Sequence, residues 1–329
     1  MEDKIFKYID PNKNDIFSDF GGSDLQDLLV LIDECNIRYR EKLDFLKDIT
    51  FGLELEFENV KYHVFEKKFN SLDLKHWVLK EDASLHNGAE INSPILTDEK
   101  KCWNDLRDVC ILSQKYGNID LHSGGHVHIG AHILENKELY FLNFIKLWSV
   151  YENVIYRFGY GEFLTERKNV WKYAAPVANA FWDDFKLLNG RNLASIKMCL
   201  SYQRKQAVNF NNVQLYGGLT TNNTIEFRCP NGTLNPVIWQ NNVNLFVKLL
   251  EYSKNKKYND GLLFRRHEMN GKQYSNLDYY KEVYLDEALE LSDLIFTNNL
   301  DKIYFLRQYL KSLKVGNEKL EKAKKFTLY

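Results

Sequence analysis

The chain has 329 residues, of which 44% are hydrophobic and 14% aromatic, so it can bury a substantial core in one large domain or two ordinary ones. Its 44 Lys and Arg residues nearly balance its 45 Asp and Glu residues, and a net charge of −1 gives no general attraction to nucleic acid or to anionic membranes. The low counts of proline and glycine, 5 and 17, exclude fibrous and low-complexity classes.

Three features of the sequence predict a cytoplasmic protein. The N-terminus has neither the basic start nor the apolar core of a signal peptide. The longest apolar stretch, residues 140–156, is interrupted by Lys146 and Glu152, so no segment is predicted to span a membrane. The five cysteines are odd in number and lack CxxC spacing, which indicates free thiols in a reducing compartment.

The hydrophobic pattern changes along the chain from helical to alternating and back. Residues 1–50 have helical spacing, with a capping-box pattern at Ser23 and Gln26. Alternation of period two predicts strands at 51–58, 62–65, 76–80, 88–92, 126–129, 207–210, 214–216 and 224–228. Helical spacing predicts helices at 97–116, 137–158, 193–200, 236–252, 286–296 and 300–313. Because several strands follow one another without an intervening helix, the sequence predicts an α+β fold with a largely antiparallel sheet.

This order of elements divides the chain into three parts. We predict a helical N-terminal extension at 1–50, a core at 51–253, and a helical C-terminal extension at 254–329 that packs on the core. The aromatic helix at 137–158 is expected to cover the apolar face of the sheet. Arg157 and Arg167 flank the loop predicted after this helix, where they could clamp an acidic substrate or form ordinary salt bridges.

Four of the predicted strands place an unusual set of polar side chains on one face. Alternate residues of a strand point to opposite sides, so the apolar residues face one way and the polar residues the other. The polar positions carry Glu54, Glu56, Glu90, Asn92, His126, His128, Glu226 and Arg228. A solvated face explains any one of these strands, but solvated faces usually mix lysine, threonine, serine and glutamine, and this face has no lysine.

These side chains predict a site for divalent cations and phosphate. Two glutamates side by side repel each other unless a cation lies between them. Magnesium prefers carboxylate oxygens, and manganese also accepts imidazole. Arg228 could hold a phosphoryl group with its planar fork. The pair of His126 and His128 follows two glycines in a pattern that also occurs at the metal sites of amidohydrolases and cupins, so it does not fix the reaction by itself.

In this order along the chain, several short motifs resemble the amidoligase family. They are GLELEF at 52–57, Asp82-Ala83-Ser84, Glu90 with Ser93-Pro94, GHVH at 125–128, Asn209, TIEFR at 224–228 and GTLNP at 232–236. That family belongs to the carboxylate–amine ligase superfamily, together with glutamine synthetase and glutamate–cysteine ligase. The resemblance spans roughly residues 51–252, and it departs from the family pattern at Ala83, where the family often has glycine.

The resemblance implies a glutamine synthetase-like catalytic core. In such a core, a curved antiparallel sheet binds ATP and two or three magnesium or manganese ions on its concave face, and helices pack on the other face. The implied metal ligands are Glu54, Glu56, Glu90, His126 and Glu226, and the implied cofactor-binding residues are Glu54, Glu56, Asn209 and Arg228. The implied catalytic residues are His128 near the transferred phosphoryl group, Arg228 on that group or on the acyl phosphate, and Arg204 on nucleotide phosphate or substrate carboxylate.

The implied activity is the ATP-dependent ligation of a carboxylate to an amine. An acyl phosphate would form first, and the amine would then displace phosphate to give an amide or isopeptide bond. Peptides, cell-wall precursors, proteins and small molecules are the implied substrates. Three alternatives stay open: a phosphotransferase on the same fold, a nucleotide-independent metallohydrolase that uses His126 and His128, and a non-catalytic scaffold.

Overall fold

The computed structural model describes residues 38–178, 192–201, 205–215, 217, 219 and 222–311, which form an α+β fold around one antiparallel sheet. The six strands are β1 (Phe51–Phe57), β2 (Val78–Asp82), β3 (Gly88–Asn92), β4 (Gly125–Gly130), β5 (Val208–Asn209) and β6 (Thr224–Phe227). They lie in the order β2-β3-β1-β4-β6-β5, every neighbouring pair is antiparallel, and the sheet is open. The prediction of an α+β fold with an antiparallel sheet is confirmed.

The described residues also form nine α-helices. They are α1 (Tyr62–Asn70), α2 (Lys100–Tyr116), α3 (Glu138–Gly159), α4 (Val170–Tyr173), α5 (Leu193–Ser201), α6 (Pro236–Ser253), α7 (Asp260–Asn270), α8 (Leu285–Ile295) and α9 (Asn299–Leu310). Three short 3₁₀ segments lie at Ala131–Leu134, Gly271–Gln273 and Leu277–Tyr280. Within this part of the chain, no helix combines the length and apolarity that crossing a membrane requires.

Helices α3 and α6 pack on one face of the sheet. Phe227 of β6 stacks on Phe246 of α6 with ring centroids 4.1 Å apart. The ring centroid of Trp148 of α3 lies 5.6 Å from that of Phe227. Leu55 and Val127, which the strand alternation directs to the same side as Phe227, are fully buried. Burying each such side chain contributes about 1.5–3 kcal/mol to the stability of the fold. The apolar face of the strands therefore packs against the helices, and the opposite face is left for polar side chains.

The strand register brings the polar positions into neighbouring rows. Glu54 in the middle of β1 lies opposite Asn92 of β3 and His126 of β4. The other pairs on this face are Glu56 with Glu90, His128 with Gly52 and Glu226, and Asn209 with Glu226. Because the register of an antiparallel sheet sets which side chains are neighbours, residues far apart in the sequence meet on this face.

Two of the predicted strands are wrong. Residues 62–65 begin helix α1, in which Phe65 and Phe69 are buried one turn apart, and four residues are too few to distinguish the two periods. In the predicted strand at 214–216, Gln214 and Leu215 form no strand, and the backbone N–H of Gln214 donates to Asn223 Oδ1 at 2.7 Å. Tyr216 lies outside the described residues.

The two predicted extensions differ in how much of them is described. Residues 1–37, including the capping-box pattern, lie outside the described residues, and residues 38–50 contain no helix. Near the other end, α8 and α9 are helical as predicted, and the Gln308 side chain of α9 donates hydrogen bonds of 3.0 Å to Phe158 O and to Asn242 Oδ1. The predicted domain boundaries at residues 50 and 253 stay a prediction.

Candidate metal and phosphate site

Glu54 lies at the centre of the polar face. Its Oε2 accepts a hydrogen bond from His126 Nδ1 at 2.7 Å, and its Oε1 accepts one from His128 Nε2 at 3.0 Å. Burial opposes the ionisation of this carboxyl group, but the hydrogen bonds and positive charge of the two imidazoles outweigh burial and hold the pKa of Glu54 well below its usual range. For His128, burial by itself lowers the pKa. The hydrogen bond and negative charge of Glu54 outweigh burial, so the pKa of His128 is raised overall.

Glu54, His128 and Glu226 form a first cluster whose atoms could hold a metal ion. One ligand atom from each of these residues lies within 4.8 Å of the other two. Arg228 borders this first cluster, because its guanidinium forms an ion pair with Glu226 and its Nε donates to Tyr173 O at 3.2 Å. These contacts hold the arginine beside the cluster.

A second cluster consists of Glu56, Asp82 and Glu90, and its ligand atoms also lie within 4.8 Å of one another. Glu56 and Glu90 face each other on β1 and β3, while Asp82 is the last residue of β2. Burial and the negative charge of Glu54 raise the pKa of Glu90, whereas Lys80, 3.7 Å away, lowers it. The second cluster therefore concentrates negative charge that a cation would stabilise.

His126 lies between the two clusters. Its Nδ1 is 3.9 Å from Glu226 Oε1, and its Nε2 is 3.9 Å from Glu56 Oε1. The residue is only 5% exposed, and its Nε2 has no hydrogen-bond partner among the described residues, which is costly for a buried nitrogen. Carboxylate oxygens and imidazole nitrogens in this arrangement fit magnesium or manganese ions, which would offset the repulsion among the carboxylates.

A cavity of about 590 Å³, which we call the charged cavity, lies beside the second cluster. Its acidic lining residues are Glu54, Glu56, Asp82 and Glu90. Its basic lining residues, apart from two histidines, are Arg167, Lys168, Lys205 and Arg228. A cavity that combines metal-ligand carboxylates with four cationic side chains is suited to a polyanion that binds together with metal ions.

A second cavity of about 370 Å³, which we call the neutral cavity, meets the charged cavity at Glu54, which lines both. Its lining amides and hydroxyls come from Thr50, Asn92, Ser93, Asn212, Asn222, Asn223 and Thr224. No lysine or arginine occurs among the described residues that line it. Its lining also includes the carboxylate of Glu54 and the imidazoles of His128 and His132, so the neutral cavity suits a small polar molecule such as an amine.

The structure brings together most of the residues that the sequence predicts for the site. These are Glu54, Glu56, Glu90, His126, His128, Glu226 and Arg228. Asn209 is buried opposite Glu226, its Oδ1 accepts a hydrogen bond of 2.7 Å from the Asn211 backbone, and it lines neither cavity. Arg204 lies outside the described residues. The roles assigned to these residues stay predictions.

Part of the charged cavity is not marked by the sequence pattern. The pattern gives Lys168 and Lys205 no role, and only the family resemblance points to Asp82. Asp82 ends an edge strand, and the two lysines lie in connecting segments, so no alternating pattern marks them. Their proximity to the carboxylates depends on how loops fold over the sheet, which a local sequence pattern does not contain.

Comparison with known families gives one match. A family model described as "Putative amidoligase enzyme" matches residues 63–250. This range includes Glu90, His126, His128, Glu226 and Arg228, and it begins after Glu54 and Glu56. A search of curated proteins finds no significant match.

Proposed function

Because the chain belongs to the amidoligase family, whose members are ligase-type enzymes that form C–N bonds, we propose that it is an ATP-dependent ligase that joins a carboxylate to an amine. The observation that carries this proposal is the charged cavity, whose lining combines carboxylates of both metal-ligand clusters with four cationic side chains. A nucleotide triphosphate with bound metal ions is the reactant that uses both kinds of group.

Magnesium or manganese ions would be held by the first and second clusters, with His126 between them. When bound, such ions neutralise phosphate charge and polarise phosphoryl oxygens. A metal-dependent site on one face of an antiparallel sheet is also what a glutamine synthetase-like enzyme requires. The fit of the donor atoms and the unpartnered Nε2 of His126 support this part of the proposal.

The first chemical step would take place in the charged cavity. A carboxylate oxygen of the acid substrate attacks the γ-phosphorus of ATP, ADP leaves, and an acyl phosphate forms. Lys168 and Lys205 would bind the nucleotide phosphates, and Arg228, held by Glu226 and Tyr173, would stabilise negative charge on the transferred group. Positioning and charge neutralisation are the main contributions that a protein makes to such a transfer.

The amine would enter from the neutral cavity. Its nitrogen attacks the acyl carbon, inorganic phosphate leaves, and the nitrogen loses a proton as the amide forms. The two cavities meet at Glu54, so reactants from either side would come together beside this residue. Because the carboxylate of Glu54 lines this cavity and its described lining has no lysine or arginine, a primary amine is the acceptor that suits it.

Trapping the acyl phosphate tests the proposed reaction. The full-length protein is incubated with magnesium, ATP, hydroxylamine and a panel of dicarboxylic acids, amino acids and short peptides. We expect hydroxamate and ADP to form together for at least one acid. Glu226→Gln should lower both products by at least about 100-fold, because it removes a charge from the first cluster. Glu251→Gln on α6, which affects an ion pair with Lys248 away from the site, is the matched control.

Two other outcomes would replace the ligase proposal. A stable phosphorylated acid that forms without hydroxamate would identify a phosphotransferase. Cleavage of an amide bond without any nucleotide would identify a metallohydrolase that uses the histidines of the site.

A further inference from the structure

Arg167 is a buried cation that lines the charged cavity. The residue is only 4% exposed and lies between α3 and α4. Its Nη2 donates to Arg228 O at 3.0 Å, and its backbone N–H donates to Asn231 Oδ1 at 2.8 Å. Its Nε is buried without a hydrogen-bond partner among the described residues. The guanidinium therefore uses only part of its capacity to donate hydrogen bonds.

No carboxylate of the described residues forms an ion pair with Arg167. The negative charge of Glu56 acts on it, and Glu56 Oε2 accepts a hydrogen bond of 2.5 Å from the backbone of Gly124. A Cβ on Gly124 would lie 2.7 Å from Arg167 Nη1 and 3.0 Å from Glu56 Oε2, so both side chains border the gap that this glycine leaves. Burial lowers the pKa of Arg167, and the charge of Glu56 only partly opposes this effect.

Two buried lysines of the described chain have carboxylate partners, whereas Arg157 and Lys311 are buried against backbone carbonyl groups instead. Lys146 forms an ion pair of 2.6 Å with Asp260, and Lys302 forms an ion pair with Asp293 inside the protein. A buried charge without such a partner is unfavourable for folding, and retaining one beside a cavity is a common feature of sites that bind the opposite charge. Arg167 differs from all four of these residues because it lines the charged cavity.

We infer that Arg167 binds an oxyanion of a reactant in the charged cavity, through the free N–H groups of its guanidinium. A phosphoryl group of the nucleotide and the carboxylate of the acid substrate both have the oxygen geometry that a guanidinium recognises. The identity of the oxyanion as a reactant group rests on the proposed ligase function. The binding of an oxyanion itself does not, because it follows from the buried, unpaired charge.

Calorimetric titration of the full-length protein tests this inference. The probes are tripolyphosphate with magnesium, and glutarate as a simple dicarboxylate. We expect Arg167→Met to weaken the binding of at least one probe about 10- to 100-fold, which is the effect of losing a charge-assisted hydrogen bond. Arg167→Lys keeps the charge but loses the planar fork, so it should weaken the same probe by a smaller factor. Arg107→Met on α2, which is 43% exposed, is the matched control and should bind both probes normally.

The probe that loses affinity identifies the oxyanion as phosphoryl or carboxylate. Unchanged affinity for both probes in Arg167→Lys and Arg167→Met, or an equal loss in Arg107→Met, would overturn the inference. If Arg167→Met does not fold, the affinity of Arg167→Lys for the two probes decides whether the inference holds. Failure of the hydroxamate assay together with lost affinity in the Arg167 variants would refute the ligase proposal and leave the oxyanion site intact.

Discussion

At the scale of single residues, the buried carboxyl group of Glu152 shows how burial controls charge in this protein. It accepts hydrogen bonds from Trp148 Nε1 at 2.7 Å and from the backbones of Val177 at 2.7 Å and Ala178 at 2.6 Å. Burial raises its pKa from an ordinary value of 4.5 to about 7, although these donors oppose the shift. The folded chain therefore binds this proton more tightly than the unfolded chain does. The stability that this bound proton adds to the fold is fully present below the pKa of Glu152 in the unfolded chain. It is lost as the pH rises through the pKa of about 7 in the folded chain.

Replacing Glu152 should remove this pH dependence. Relative to Glu152→Gln, we expect the free energy of unfolding of the wild-type protein to fall by up to about 1.4 kcal/mol per pH unit between about pH 5 and pH 7. Urea denaturation at several pH values within that range measures the difference. Glu251→Gln should follow the wild-type curve. A difference between wild type and Glu152→Gln that does not change with pH would contradict the raised pKa.

The sequence predicts individual site residues well only where they lie on alternating strands. Glu54, His126 and Glu226 each oppose apolar neighbours, so their shared face follows from a period of two once the strands are identified. Arg167 lies in a connecting segment, and its sequence neighbours are compatible with a clamp or with a salt bridge. Only the folded chain reveals that it is buried beside a cavity and has no acidic partner among the residues that the structure describes.

At the scale of elements, strand β1 runs along both cavities of the polar face. Its alternate residues Leu53 and Leu55 are buried in the core. On the other side, Gly52 lines the neutral cavity, Glu56 lines the charged cavity, and Glu54 lines both. Under the proposed function, this one strand would present one residue to the amine and another to the nucleotide.

Enlarging Gly52 should close the neutral cavity selectively. A Cβ at this position would lie 3.8 Å from His128 Cβ and Ser93 Oγ, which is an ordinary contact, so Gly52→Ala fits. Gly52→Leu would extend into the cavity. We expect Gly52→Leu to lower the rate of hydroxamate formation with O-benzylhydroxylamine, relative to the same rate with hydroxylamine, by at least about tenfold. The reason is steric conflict with the larger amine.

The two nucleophiles have similar reactivity but different size, so their rate ratio isolates the space available to the amine. Gly52→Ala is the control and should keep the wild-type ratio. An unchanged ratio in Gly52→Leu would mean that the amine does not enter through the neutral cavity.

The elements themselves differ in how far the sequence predicts them. Long helices such as α3 and α6 are predictable because their apolar residues repeat over many turns. The start of helix α1 is harder to predict, because the four residues at 62–65 fit a strand as well as a helix. The strand order β2-β3-β1-β4-β6-β5 depends on contacts between distant segments, so no local pattern contains it.

At the scale of the whole molecule, charge is balanced in total but concentrated in one place. The chain has a net charge of −1, yet five carboxylates belong to the first and second clusters, Glu54, Glu226, Glu56, Asp82 and Glu90. Composition alone therefore gives no sign of the site. Repulsion among these carboxylates opposes folding unless cations or the neighbouring basic side chains offset it.

Divalent cations should therefore stabilise the folded chain. After treatment with EDTA, we expect added magnesium or manganese to raise the thermal midpoint, since a ligand at 100 times its dissociation constant contributes about 2.7 kcal/mol. For a large chain this corresponds to roughly 5 °C. Differential scanning calorimetry measures the shift.

Glu54→Gln is the decisive variant, because Glu54 belongs to the first cluster and lies beside the second. Without its negative charge, we expect most of the metal-dependent shift to disappear, whereas Glu251→Gln should keep it. If neither metal changes the wild-type midpoint, or if Glu54→Gln keeps the full shift, the two clusters do not bind metal ions. The carboxylates would then need another cation to offset their repulsion, and the case for a metal-bound nucleotide would lose its main support.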